Sequence, residues 1–85
     1  MNRKALLKRL SQGAVNNVRF ADLVDLAEAL GFRLTRVSGS HHIFSHEAIP
    51  GVANLQEVRG EAKPYQIRQL LRLIERYNLE MRNPE

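Results

Sequence analysis

The chain has 85 residues, 44% of them hydrophobic, and no cysteine. That length points to one domain, 1–85, with a single core, and the missing cysteine excludes disulfides, Cys-type zinc sites and thiol nucleophiles together. Thirteen Lys and Arg against nine Asp and Glu leave a net charge of +4 at pH 7, which suggests nucleic acid or an acidic protein as partner.

All but three of those cations are arginine, the side chain whose planar fork matches phosphate. No apolar run approaches the roughly 20 residues that cross a bilayer. The basic N-terminus has its apolar stretch broken by Lys8 and Arg9, so no secretory signal is expected. The composition suits a reducing cytoplasm.

Leu6, Leu7 and Leu10 predict a short helix over residues 2–10, stopped by Gly13, within an N-terminal extension 1–14. Leu23, Leu26, Ala27 and Leu30 fall at i, i+3, i+4 and i+7 and predict a second helix over 21–30, ended by Gly31. The pattern then changes to period two. Residues 32–37 read as a strand with Phe32 and Leu34 opposed to Arg33 and Thr35, Ser38-Gly39-Ser40 as a turn, and 41–46 as the returning strand.

Residues 47–53, with Pro50-Gly51, read as a loop, 54–58 as a third strand and 59–63 as a connection. Pro64 opens a last helix running to about residue 77, with Ile67, Leu70, Leu71 and Ile74 inward and Arg68, Arg72 and Arg76 on a neighbouring face. The expected fold is α+β: a three-stranded antiparallel sheet covered by helices on one face and open on the other, with an extra short helix in front.

The segment "GSHHIFSHE" holds every histidine of the chain. In a strand, His42 and His46 share one face with Phe44, and His41 takes the other. Residues four apart on a strand are about 13 Å apart, so these side chains do not converge on one ion, and no metal or other cofactor is expected. His42 and His46 read as partly buried structural residues. His41, beside the small residues Gly39 and Ser40, is open either to acid–base work, since imidazole changes charge near neutral pH, or to simple donation to a ligand. Arg33, Arg36 and Arg59 are placed to bring a phosphate backbone near it.

A helix ending in Leu-Gly-Phe, a strand carrying arginine, "GSHHIFSH" and the closing stretch "QEVRGEAKPYQIRQLLRLIERY" together resemble the HicA family of toxins, also called YcfA-like. The resemblance spans a core of residues 20–79. It implies a fold similar to a double-stranded RNA-binding domain, and a small ribonuclease that cuts messenger RNA and is neutralised by a HicB-type antitoxin. The presumed catalytic histidine of the family's Gly-Ser-His motif falls here on His41, with Gly39 and Ser40 carried over beside it. The third strand departs from the family pattern, with Gln56 and Glu57 where a basic residue or histidine is common.

The mechanism expected from this reading needs no metal: His41 takes the proton of a ribose 2′-hydroxyl, which attacks the adjacent phosphate. Arg36 would stabilise the charge that develops, and no general acid is identifiable. Arg33, Arg36, Gly39, Ser40, Arg59, Lys63, Arg68 and Arg72 make up the expected RNA-binding set. The free chain is expected to be a monomer, with no membrane association. The alternative is a non-catalytic RNA-binding module of the same fold, reading duplex shape through phosphates and 2′-hydroxyls.

Overall fold

A computed structural model describes residues 2–82. Among these, three helices and four strands follow the order α1 (Arg3–Ser11), α2 (Phe20–Ala29), β1 (Arg33–Ser38), β2 (His41–Ser45), β3 (Val52–Val58), β4 (Glu61–Ala62) and α3 (Pro64–Arg76). The stretch α2-β1-β2-β3-α3 has the expected α-β-β-β-α arrangement, with α1 and β4 added. The sheet is antiparallel with order β1-β2-β3-β4. It therefore has four strands where three were expected.

The fourth strand comes from a two-residue turn. Arg59 and Gly60 both take positive φ, 53° and 78°, the conformation that a type I′ hairpin turn requires. Val58 then faces Glu61, and Glu57 faces Ala62. The other edge of β4 is held by the segment ahead of α2, through Ala62 N to Val18 O and a bridge between Arg19 and Glu61. Phe20 N donates to Gly60 O at 2.8 Å. An N-terminal N–H of α2, which has no side-chain cap, is thereby satisfied by this turn.

Asn2 caps α1 by accepting from Ala5 N, and the helix places Leu6 and Leu10 in the same core as the rest of the chain. A forked ion pair from Arg3 to Asp25 ties α1 to α2, at 3.1 Å for each contact. The α2 helix ends with Gly31 N bonded to Glu28 O and Phe32 N to Ala27 O, a Schellman closure with Gly31 at φ +99°. A side chain at Gly31 would also collide with His46 Nε2, 2.8 Å from where its Cβ would lie.

The core lies between the helices and the inner face of β2 and β3, where Phe44, Ala53 and Leu55 meet Leu23, Leu26, Ile67 and Leu70. Strand β1 departs from the alternation read in the sequence. All its positions are exposed, and Leu34 and Val37 stay 41% and 52% accessible. It is the edge strand, and its inward-facing Leu34 and Val37 stay open to solvent. Strand β3 begins at Val52, within residues expected to form a loop.

Candidate active site on the open sheet face

Directly opposed residues in an antiparallel pair project to the same face, so the register fixes the composition of the open side. Ser38 faces His41, Arg36 faces Ile43 and Arg33 faces Ser45 across β1–β2. Across β2–β3, His41 faces Gln56 and Ile43 faces Asn54. The register of β1 slips between Leu34 and Arg36, leaving Thr35 as an extra residue whose Oγ1 donates to Ile43 O at 3.1 Å. This bulge matters. Strict alternation separates Arg33 from Arg36; the slip puts both on the face that carries His41.

The turn that presents His41 has Gly39 at φ +60°, the first turn position of a hairpin type that favours glycine there. Ser40 is braced on both sides. Its carbonyl accepts from Glu57 N at 3.0 Å and from His42 Nδ1 at 3.2 Å, and its hydroxyl accepts from Gln56 Nε2 at 3.2 Å. Gln66, buried at the start of α3, accepts from Gln56 N. A chain of hydrogen bonds thus runs from α3 through Gln56 to the residue preceding His41.

The three histidines separate by environment. His41 is exposed, and its Nδ1 lies 3.2 Å from the amide oxygen of Asn54. An acceptor there makes Nδ1 the donor, so in the neutral ring the lone pair sits on Nε2, which has no partner among the described residues. His42 turns inward, its ring 4.7 Å from that of Phe20 at 55°. His46 is buried, and both nitrogens are committed: Ala48 N donates to Nδ1 at 3.0 Å, and Nε2 donates to Leu30 O at 2.9 Å. One donor and one acceptor make it a neutral imidazole, with no lone pair for chemistry.

Of the expected site residues, the fold brings Arg33, Arg36, Gly39, Ser40 and His41 to the open face and its turn. Arg59 lies in the β3–β4 turn, at the same end of the sheet as Gly39 and Ser40. Lys63 precedes α3 as its N-cap. Arg68 and Arg72 are exposed on α3, in the helix layer rather than on the open face. Asn54 and Gln56 were not anticipated as site residues; the signal for them is cross-strand register, which the sequence leaves free until the turn lengths are fixed. Among the described residues no group of three or more His, Asp or Glu is arranged to hold a metal ion.

The pattern of a braced Gly-Ser turn and an outward histidine, carried on α2-β1-β2-β3-α3, coincides with a family match. The model of the HicA toxin of bacterial toxin–antitoxin systems matches residues 20–75. The chain belongs to the HicA toxin family. The match begins at the first residue of α2 and ends within α3, so α1 lies outside it although its leucines share the core. No curated protein and no solved structure was found to match the chain. Membership makes it a toxin-type component and implies a cognate antitoxin. None of the described helices is long and apolar enough to cross a membrane.

Proposed function

We propose that this chain is a metal-independent endoribonuclease that cuts messenger RNA with His41 as general base, and that a HicB-type antitoxin neutralises it. The observation that carries the reading joins hydrogen bonding to exposure. Among the described residues both His46 nitrogens are bonded, His42 keeps one unbonded nitrogen but is turned inward against Phe20, and His41 keeps one on an exposed, arginine-bearing face. Nε2 would take the proton of a ribose 2′-hydroxyl. The 2′-oxygen attacks the adjacent phosphorus as it loses that proton, the bond to the 5′-oxygen breaks and that oxygen takes a proton from water, leaving a 2′,3′-cyclic phosphate and a 5′-hydroxyl end while His41 returns its proton to solvent.

Asn54 fixes the ring tautomer in this scheme, and Arg36, brought to the same face by the bulge, is the cation assigned to the developing phosphorane charge. Arg33, Gly39 and Ser40 line the approach of the strand, with Arg59 and Lys63 as outlying phosphate contacts; Arg68 and Arg72 would engage RNA reaching past the edge of β3. A positioned general base contributes about 10²–10⁴-fold, which suits a slow toxin.

The test is to offer one sequence as RNA and as DNA, both in EDTA, and to analyse the ends produced. RNA should be cut to cyclic-phosphate ends and DNA left intact. Metal-dependent cutting of DNA would overturn the mechanism, and binding of RNA without any cutting would favour the non-catalytic module.

A further inference from the structure

The two edges of the sheet are built differently. The β1 edge carries Arg33, Arg36 and the bulge at Thr35, features that discourage another strand from pairing there. The β3 edge over residues 52–55, Val-Ala-Asn-Leu, has no charge and no proline, and its pairing with β2 shows no slip.

Among the described residues that second edge is unfilled. Glu57 N donates to Ser40 O, which sets the parity of the β2–β3 ladder: Ala53 and Leu55 turn their main chain toward β2, and Val52, Asn54 and Gln56 turn theirs away. Gln66 takes the outward N–H of Gln56. Strand β4 reaches only Glu57 and Val58, so among the described residues no strand lies beside Val52 and Asn54. Between this edge and α3 runs an open groove of about 760 Å³, with Leu55, Leu70 and Leu73 supplying apolar surface and Arg72 and Arg76 outnumbering Glu75.

We propose that this groove binds an extended acidic segment of a protein partner, which adds as a strand to β3 at Val52 and Asn54 and places its carboxylates against Arg72 and Arg76. Main-chain pairing supplies affinity and the flanking groove supplies selectivity, as in other strand-addition sites. The proposal rests on the toxin–antitoxin reading only for the identity of the partner. Asn54 links the two sites, since its side chain meets His41 and its main chain faces the groove. A strand seated there would press on the residue that orients the histidine.

The test uses the isotopically labelled full chain with a short blocked peptide of alternating Glu and Val. Controls are the matching Lys and Val peptide and a short single-stranded RNA. The acidic peptide should shift the Val52 and Asn54 amide signals and slow their hydrogen exchange. Val52→Pro removes an outward N–H at the first position of an edge strand, where proline is tolerated, and should weaken this peptide by about tenfold or more. Arg72→Glu with Arg76→Glu should do the same and reverse the preference toward the Lys peptide.

Val52→Pro should still cut RNA like the wild type. If the wild type cuts no RNA, the ribonuclease reading fails while the peptide result stands. Undisturbed Val52 and Asn54 amides, full peptide affinity in Val52→Pro, or shifts of these amides by the RNA and not the peptide would each overturn the proposal.

Discussion

The two ends of β2 carry the same residue type in opposite roles. At one end His41 is exposed, holds one hydrogen bond to Asn54 and keeps a nitrogen open. Just past the other end, His46 is buried with both nitrogens bonded, linking the C-terminal end of α2 to the loop beyond β2. Strand parity separates their faces, but parity alone does not assign work. Between these two, what decides is whether the fold has used up the ring nitrogens.

The largest expected effect follows from removing the open nitrogen. His41→Ala should lower RNA cleavage by about 10²–10⁴-fold and leave the melting temperature unchanged, as calorimetry of both proteins would show. His46→Ala should do the reverse. It strands the Leu30 carbonyl and the Ala48 N–H and should cost about 2–3 kcal/mol in urea denaturation, with the rate per folded molecule near wild type.

Asn54→Ala sharpens the comparison from the other side. Losing the group that sets the His41 tautomer should reduce the turnover rate by about 10-fold through misorientation, while RNA affinity in EDTA changes little. An equal fall in affinity and rate would make Asn54 a binding contact instead.

The smallest effect concerns the neighbour of His46. Arg82 donates to Glu47 at 2.6 Å and holds its carboxyl below the usual range, first through the hydrogen bond and then through charge. A carboxylate with a lowered folded-state pKa favours folding above its ordinary pKa, and the contribution fades as pH falls through the lowered value. The pair is solvent-exposed, so the gain is small. The melting-temperature difference between wild type and Glu47→Gln should be slight at neutral pH and vanish in strong acid.

The sequence made the helices and the first hairpin legible because their signals are local: apolar spacing in α2 and α3, glycine at Gly31 and Gly39, proline at Pro64. Strand β4 was not legible, because Arg59 occupies a positive-φ turn position where Asn or Gly is the usual sign of a hairpin. The bulge at Thr35 was hidden for a related reason: it shows only in the pairing with β2, where the register slips and the Thr35 hydroxyl bonds Ile43 O. The facing of Arg33 and Arg36 depended on it. His41 could be singled out from parity and the Gly-Ser turn, whereas Asn54 and Gln56 required the register between strands joined by a loop whose length the sequence misplaced.

The central claim is that the His41 side chain takes the proton. The most direct measurement is single-turnover cleavage of one structured RNA in EDTA by wild type and by His41→Ala, with and without added imidazole. RNA binding is measured on the same samples. The account predicts lost cleavage, retained binding and partial recovery with imidazole. Equal cutting by the two proteins would contradict it.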